Sequence, residues 1–502
     1  MNANLYALFQ SRFPLDQSAL FLETENGERF SYADLERETA YLAAFLTGAG
    51  VARGERVAVQ VEKTPQALFL YLACLRAGLV FLPLNSAYQE NEISYFLQNA
   101  QPKVVVAQPA SIPWLAPLAA RLNIPHLFTL DENGRGTLME ANEKVTGDFV
   151  TVESRGDDLA SILYTSGTTG RSKGAMLTHN NLSSNAQTLH RLWGFTTHDV
   201  LLHALPLFHV HGLFVACHCT LLNGSAMIFH RRFDARVVMR DLARATVFMG
   251  VPTFYTRLLG EADFGADTCR NTRLFICGSA PLLPETFNTF QQRTGMTLLE
   301  RYGMTETGML TSNPLDGERV AGSVGRPLPG VSLRTVNSDG KTLSPGEIGE
   351  IQVKGANVLS GYWRMPEKKQ EEFTPDGFFK TGDLGKLDER DYLYIVGRSK
   401  DLVICGGYNV YPKEIELLID ALPGVAESAV FGAPHPDFGE AVVAVIVPQK
   451  GEHGLTEQGV IAALKPQLAN FKLPKRVYFA ADLPRNAMGK VQKNELRKRY
   501  CV

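Results

Sequence analysis

The sequence predicts a multidomain α/β protein (multidomain α+β), in which a large N-terminal domain of βα-layered sheets with a β-rich subdomain precedes a small α+β C-terminal domain. The chain has 502 residues, which is long for a single domain. Strand-like apolar runs alternate with helical patterns from about residue 30 to about residue 260. A polar break near residue 400 separates this region from a final unit of about 100 residues.

The elements of the first domain follow from where its apolar runs are interrupted. Residues 67–84, ALFLYLACLRAGLVFLPL, predict a helix that ends near Gly78 and then a buried strand. Further apolar runs that are interrupted in the same way predict additional βα units: VAVQVE, KVVVAQ, AMIFH and ATVFMGVP. Between Gly322 and Gly397 short strands (SLRTV, GEIQVKG, DYLYIVG) lie between turns, which predicts the β-rich subdomain.

The final unit begins with a clear helix signal. Residues 411–422, YPKEIELLIDAL, predict a helix because Pro412 suits a first turn and apolar residues recur at helical spacing. The strands AESAVFGA and AVVAVIVP, a helix at TEQGVIAALKPQLA and a basic tail complete the unit. We place the boundary near Lys400, which divides the chain into residues 1–399 and 400–502.

Charge and composition exclude several classes of partner. Lys and Arg number 50 and Asp and Glu number 52, so the net charge of −2 gives no reason to expect nucleic acid or an anionic membrane. We find neither a signal-peptide pattern at the start nor a run of 18 apolar residues. The seven scattered cysteines are typical of reduced thiols. We therefore expect a cytoplasmic protein.

Residues 164–174, YTSGTTGRSKG, carry the strongest chemical signal. The stretch follows an apolar run and precedes a helix-like start, THNNLSSNAQTL. Lys173 can bring a positive charge to terminal phosphates. Close backbone approach to phosphate is possible at Gly167, Gly170 and Gly174. Hydroxyl donors are available at Thr165, Ser166, Thr168, Thr169 and Ser172. The stretch is not a Walker A motif, because Arg171 and Ser172 separate Gly170 from Lys173.

Other motifs follow this loop in a fixed order: YGMTE at residues 302–306, TGDLG at 381–385, Gly397-Arg398, and LPRNAMGK at 483–490. In this order the chain resembles, over essentially its whole length, the adenylate-forming superfamily of acyl- and aryl-CoA synthetases, adenylation domains and luciferases. PLFHVHGLFVA, MGVPTFYTRLL and GGYNVYPKEIE are most similar to its malonyl-CoA synthetase branch. The resemblance implies an AMP-forming ligase that converts malonate, ATP and CoA to malonyl-CoA, AMP and pyrophosphate with Mg²⁺.

The resemblance also implies residue roles in adenylate formation. Lys490, Thr305 and Glu306 are the implied catalytic residues, and Glu306 with Thr165 would bind Mg²⁺. Tyr302 would stack on adenine, and Asp383 and Arg398 would serve the ribose or a phosphate. The implied nucleotide-binding residues are Thr165, Ser166, Gly167, Thr168, Thr169, Gly170, Lys173, Gly278, Ser279, Ala280, Pro281, Glu300, Arg301, Tyr302, Gly303, Met304, Thr305, Asp383, Arg398 and Lys490.

In the second half-reaction the resemblance implies that the C-terminal domain rotates before CoA attacks the adenylate. Lys400 occupies the hinge position. The pantetheine arm of CoA would be lined by Gly406, Gly407 and Tyr408. Lys490 is also a plausible target for a lysine acetyltransferase and a deacetylase, because acetylation removes the charge that its role requires.

The acid pocket is expected to contain two arginines. A dicarboxylate needs a partner for its distal carboxylate, because an unpaired buried charge is costly, and Arg supplies bidentate bonds. We expect Arg257 to be the main anchor and Arg301 a second one, with help from His209 and Ser279, and Met304 limiting chain length. Methylmalonate should then be accepted, and succinate should be poorer.

Three alternatives are weighed against this interpretation: a CoA ligase for another short or branched acid, a peptide-synthetase-like module, and a non-catalytic nucleotide-binding or luciferase-like protein. No carrier-like Asp-Ser-Leu segment follows residue 490, which favours a free-standing ligase. A non-catalytic protein is disfavoured because the charged residues of the motifs are all present: Lys173, Glu306, Asp383, Arg398 and Lys490. A flavin or NAD dehydrogenase is excluded because no strand-linked GxGxxG occurs.

Overall fold

The computed structural model describes residues 2–143, 145, 147–165, 172–405, 408–435, 439–451 and 454–501. Part of the predicted site lies outside these ranges. Those residues are Ser166, Gly167, Thr168, Thr169 and Gly170 of the phosphate loop and Gly406 and Gly407 of the CoA channel.

The strands of the described residues are β1 Leu20–Thr24, β2 Arg29–Ser31, β3 Arg56–Gln60, β4 Val80–Pro83, β5 Val104–Ala107, β6 His126–Thr129, β7 Leu159–Thr165, β8 Lys173–Thr178, β9 Val200–His203, β10 Ala226–Phe229, β11 Val247–Gly250, β12 Leu274–Cys277, β13 Leu299–Met304, β14 Gly308–Ser312, β15 Arg326–Pro327, β16 Val331–Val336, β17 Gly349–Gly355, β18 Phe379–Leu387, β19 Leu393–Arg398, β20 Val403–Cys405, β21 Tyr408–Val410, β22 Val425–His435, β23 Gly439–Pro448 and β24 Arg476–Phe479.

The helices are α1 Leu5–Gln10, α2 Tyr32–Gly48, α3 Pro65–Arg76, α4 Glu90–Ala100, α5 Ile112–Arg121, α6 Thr137–Asn142, α7 His179–Leu192, α8 His218–Leu221, α9 Ala235–Leu242, α10 Pro252–Gly260, α11 Ala266–Cys269, α12 Pro284–Thr294, α13 Pro366–Glu372, α14 Pro412–Asp420, α15 Glu457–Leu464 and α16 Lys493–Tyr500. Short 3₁₀ turns span Pro109–Ser111 and Ser399–Asp401, and a π-helical turn spans His211–Cys217.

Two large sheets form the first part of the chain, as the βα pattern predicts. One has the strand order β6-β5-β3-β4-β7-β8, and the other has the order β15-β14-β13-β12-β11-β9-β10-β1-β2. Most neighbouring pairs in both sheets are parallel. Every residue of β4 and β5 is buried, because parallel strands covered by helices on both faces are apolar throughout. The predicted α/β class is confirmed.

The β-rich subdomain is an antiparallel sheet with the order β16-β17-β18-β19, within the predicted range. Beyond it, strands β20 to β24 form a further sheet that packs on α14 and α15 around its own apolar cluster. Helix α14 begins at Pro412, whose missing N–H costs nothing at a first helical position. The boundary at residue 400 itself stays a prediction.

One strand was not predicted. The helix expected at THNNLSSNAQTL is α7, with Thr178 as its N-cap, but the strand β8 precedes it, pairs antiparallel with β7 and places Lys173 at its start. A Cβ at Gly174 would lie 2.9 Å from Ile162 Cγ2, so close packing also favours glycine at this position. Among the described residues, none of the helices has the length and apolarity needed to span a membrane.

Candidate active site

Strands from two different sheets meet at the centre of the site. Thr165 is the last residue of β7, and Thr305 and Glu306 lie between β13 and β14. The Thr165 hydroxyl donates to Glu306 Oε1 over 3.2 Å, which joins the end of β7 to the β13–β14 hairpin. Burial raises the pKa of the Glu306 carboxyl, although Arg398 and Lys173 lower it in part. This pair of oxygen ligands fits a hard cation such as Mg²⁺.

Lys173 is buried beside this junction. Its ammonium forms an ion pair with Glu372, at the end of α13, and lies 4.5 Å from the centre of the Tyr362 ring. The Tyr362 hydroxyl donates to Glu372 Oε2 over 2.7 Å and lies 3.4 Å from Glu306 Oε1. The lysine predicted to serve phosphate therefore lies within one network with the carboxylate predicted to bind Mg²⁺.

The β-rich subdomain contributes a third group of residues. Asp383 in β18 is buried, accepts a hydrogen bond from the Tyr302 hydroxyl over 2.5 Å, and pairs with Arg398 Nε over 2.6 Å. The backbone N–H of Asp383 donates to Thr381, which fixes the position of the aspartate. An ionised carboxylate can accept about four hydrogen bonds, so Asp383 retains capacity for the ribose hydroxyls of a nucleotide.

Lys490 reaches the same place from the C-terminal part of the chain. It ends a turn in which its N–H donates to Asn486 Oδ1 and the Asn486 N–H donates to the Lys490 carbonyl. Met488 in this turn packs into the large N-terminal core, and a Cβ at Gly489 would lie 3.0 Å from Thr253 Oγ1. Although the residue is exposed, desolvation of its ammonium and the nearby Arg398 lower the pKa of Lys490 to about 8.

Arg301 in β13 is the most unusual charge of the site. It is 2% exposed, and none of its three side-chain nitrogens finds a hydrogen-bond acceptor among the described protein residues. Burial lowers the pKa of Arg301 to about 10, so the guanidinium is still charged at pH 7. The side chain passes Gly278, where a Cβ would lie 2.6 Å from Nη1, directly after Cys277 at the end of β12. A buried unpaired cation is costly unless an anion joins it.

Two histidines lie close to this guanidinium. Burial and Arg301 lower the pKa of His209 to about 4 and that of His211 well below its usual range, so both rings are neutral at pH 7. Ser279 Oγ lies 3.2 Å from His211 Nδ1, and His209 Nδ1 accepts the His211 N–H over 3.2 Å. Arg301 is thus the charged member of a compact cluster that contains the predicted His209 and Ser279.

Arg257 has a different environment. It is an exposed residue of α10 at the edge of a cavity of about 300 Å³ whose lining includes Lys63, Arg232, Phe254 and Ala487. Ala487 belongs to the turn that carries Lys490, so the cavity adjoins that docked turn. Arg257 is therefore open to water, whereas Arg301 is buried. The expected order, with Arg257 as the main anchor and Arg301 as the second, stays a prediction.

The remaining predicted residues have varied surroundings. Glu300 is buried, its Oε1 accepts only a long bond from the Leu282 N–H (3.4 Å), and burial raises its pKa to about 8. A Cβ at Gly303 would lie 2.2 Å from the Gly308 carbonyl, so this glycine is required by the hairpin itself. Tyr408 is 60% exposed and stacks on Phe471, whereas Lys400 lies exposed in the 3₁₀ turn after β19. Three further predicted residues, Met304, Ala280 and Pro281, are partly buried or exposed.

Sequence reasoning missed Glu372, Tyr362 and His211 as members of the site. Glu372 ends the charged run PEKKQEE, which is typical of a solvated helix, and no spacing relates it to Lys173 199 residues earlier. Tyr362 reaches the site because the segment at residues 361–363 pairs with β8. His211 lies in the segment PLFHVHGLFVA, and nothing in that segment predicts its contact with Ser279.

Comparison with known proteins agrees with this geometry. Residues 9–363 match the AMP-binding enzyme family, and residues 414–490 match the AMP-binding enzyme C-terminal domain. The chain therefore belongs to the AMP-binding enzymes, and its resemblance to the adenylate-forming superfamily is confirmed. The chain is 36% identical over 482 residues to a malonate–CoA ligase of Arabidopsis thaliana (90% of this chain, 79% of the relative). It is also 36% identical over 480 residues to a feruloyl-CoA synthase of an Amycolatopsis species (94% of each chain).

Among solved structures, ATP-bound MatB from Rhodopseudomonas palustris superimposes with a TM-score of 0.97 at 54% identity, covering 100% of this chain and 99% of that one. The apo form of the same protein, with the same identity and coverage, gives a TM-score of 0.86. The arrangement described here, with the turn of Lys490 docked on Thr253, is therefore more similar to the ATP-bound form.

Proposed function

We propose that this protein is a malonate–CoA ligase, which forms malonyl-CoA, AMP and pyrophosphate from malonate, ATP and CoA through a malonyl-adenylate. The observation that carries the choice of acid is Arg301, a buried guanidinium without a protein acceptor among the described residues. A dicarboxylate supplies the missing anion with one end and the reacting oxygen with the other. The malonate–CoA ligase among the relatives supports this proposal.

In the first half-reaction one carboxylate oxygen of malonate attacks the α-phosphorus of ATP, and the bond to the β-phosphate oxygen breaks as pyrophosphate leaves. Lys173 neutralises the β- and γ-phosphates, and Lys490 bridges the attacking oxygen and the α-phosphate. Thr305 donates to the α-phosphate. Asp383 and Arg398 orient the ribose, which lets positioning contribute to the rate.

Mg²⁺ fits the proposed site, because Glu306 and Thr165 place two oxygen ligands beside the phosphate loop. The cation would supply charge neutralisation for the departing pyrophosphate. The protein's part is to hold the Glu306 carboxylate ionised despite its burial, which Arg398 and Lys173 favour.

In the second half-reaction the thiolate of CoA attacks the acyl carbon, and AMP leaves with the electron pair of the broken anhydride bond. We propose that residues 400–502 rotate about Lys400 first, so that Lys490 leaves and Gly406, Gly407 and Tyr408 approach the pantetheine arm. Ser399 and Lys400 of the 3₁₀ turn are exposed, which supports a hinge there, and Asp401 of the same turn pairs with Arg497 of the C-terminal part. The cytoplasmic location expected from the sequence belongs to this proposal as well.

Lys490 is also proposed as a site of reversible acetylation. In the proposed rotation Lys490 leaves the site, which would expose its ammonium to a modifying enzyme, and loss of its charge would stop adenylation. Mass spectrometry of the protein isolated from its native cells tests this directly. A Lys490 found unmodified under every growth condition would exclude this form of regulation.

The function is tested by measuring CoA-dependent AMP formation from MgATP with malonate, methylmalonate, succinate, acetate, butyrate and benzoate. Malonate should give the highest kcat/KM, methylmalonate should follow, and succinate should be poor because its extra methylene misplaces one carboxylate. Preference for a monocarboxylate would retain the adenylation chemistry but favour the second candidate, a CoA ligase for another short or branched acid.

A further inference from the structure

Lys173 has a counter-ion within the protein, and that counter-ion belongs to no predicted motif. Its ammonium pairs with Glu372 Oε1, and the two side chains are only 10% and 22% exposed. The other carboxylate oxygen of Glu372 accepts the Tyr362 hydroxyl over 2.7 Å. Glu372 is therefore fixed from two sides, by the cation that it holds and by a buried tyrosine.

This pairing conflicts with the proposed role of Lys173. The β- and γ-phosphates carry several negative charges and need the same ammonium. Glu372 also lies near the Glu306 carboxylate, because both contact the hydroxyl of Tyr362. When Lys173 turns to the phosphates, Glu372 loses its cation in a poorly solvated place, which costs part of the binding free energy of the triphosphate.

We propose that Glu372 is an exchange partner for Lys173: it holds the ammonium while the site is free of nucleotide, yields it to the phosphates when MgATP binds, and takes it back as pyrophosphate leaves. Glu372 is a positioning residue in this scheme, since it acts on phosphate only through Lys173. The inference rests on the proposed function, in which Lys173 serves the β- and γ-phosphates.

The exchange predicts that Glu372 affects the binding affinity of some ligands and not of others. ATP and pyrophosphate both need the Lys173 ammonium, so Glu372 weakens the binding of both and hastens release of pyrophosphate. AMP lacks the β- and γ-phosphates, so its affinity should not depend on Glu372. A residue with a purely structural role would change the affinity for AMP and ATP together.

The test is direct titration of MgATP, AMP and magnesium pyrophosphate, without acid or CoA, into wild type and Glu372→Gln. The glutamine keeps the size of the side chain and an acceptor for Tyr362 but removes the charge. We expect the Kd of MgATP and of pyrophosphate to fall by about three- to tenfold, while that of AMP stays within about twofold. Glu372→Asp should restore affinities close to wild type, because it restores the charge.

Glu371→Gln is the matched control, because Glu371 is the neighbouring carboxylate and pairs with Lys368 instead. It should leave all three affinities unchanged. The inference is overturned if Glu372→Gln binds MgATP with unchanged or weaker affinity, or if AMP changes as much as ATP. If the wild-type protein binds neither MgATP nor AMP, the proposed function fails too. If the wild-type protein binds both and Glu372→Gln has the same affinities, only this inference is removed.

Discussion

Replacing Arg301 by Met separates the proposed carboxylate anchor from the rest of the site. Methionine has a similar length and is apolar, so it suits a position that is 2% exposed. The substitution removes the cation that we propose for the distal carboxylate of malonate. It leaves Lys173, Glu306 and Lys490 in place, so the machinery for adenylation is retained.

The expected magnitude follows from the burial of this guanidinium. Removing one partner of a buried, hydrogen-bonded charge pair costs about 2–5 kcal/mol, much of it from leaving the other charge unpaired. That range corresponds to a loss of roughly 30- to 5,000-fold in kcat/KM for malonate. The free protein should not be destabilised, because the variant no longer buries a guanidinium without a protein acceptor.

The assay is AMP formation with malonate and with acetate at saturating MgATP and CoA, together with thermal unfolding of each protein. Arg257→Met is the matched control, since Arg257 is an exposed arginine at the neighbouring cavity. It should retain malonate turnover within about threefold, as exposed charges contribute little. The reasoning is refuted if Arg257→Met loses malonate activity while Arg301→Met keeps it, or if both variants keep it.

Three further predictions concern Lys490 and the hinge. Lys490→Ala should abolish malonate-dependent ATP–pyrophosphate exchange but spare thioester formation from supplied malonyl-adenylate; full exchange in the variant would contradict the role of this lysine. Because desolvation and Arg398 lower the pKa of Lys490 to about 8, and the charged form is the active one, the adenylation rate should fall as pH rises through about 8. Lys490→Arg should move that fall to higher pH, and a profile unchanged by this variant would assign the titration to another group. Lys400→Pro should impair thioester formation while exchange survives, because proline restricts the backbone where rotation is proposed; equal loss of both activities would argue against the hinge.

Sequence reasoning succeeded where the signal is local. Buried parallel strands such as β4 and β5 are continuous apolar runs in the sequence, and the start of α14 is marked by Pro412 at its first position. The fold also brings together residues from separate motifs, namely Tyr302, Glu306, Asp383 and Arg398. These residues could be predicted because the prediction used an ordered set of motifs rather than one match.

It failed where the decisive property is burial or a distant contact. The sequence ranks Arg257 above Arg301 as a carboxylate anchor, but it does not reveal burial, and the fold leaves Arg257 exposed and buries Arg301. The strand β8 was missed because its six residues follow a glycine-rich loop and run directly into α7. Glu372 was missed because it ends a helix whose partner, Lys173, lies in a strand 199 residues earlier, and long-range pairing leaves no mark on local composition.

The buried Cys277 has a chemical consequence for the proposed intermediate. A malonyl-adenylate is a mixed anhydride that can acylate any thiolate within reach, and this cysteine adjoins Gly278 beside the Arg301 guanidinium. Burial raises the pKa of the Cys277 thiol well above its usual range, so its sulfur stays protonated. A protonated thiol is a poor nucleophile. A protonated Cys277 would therefore not compete with the thiol of CoA for the acyl group of the proposed intermediate.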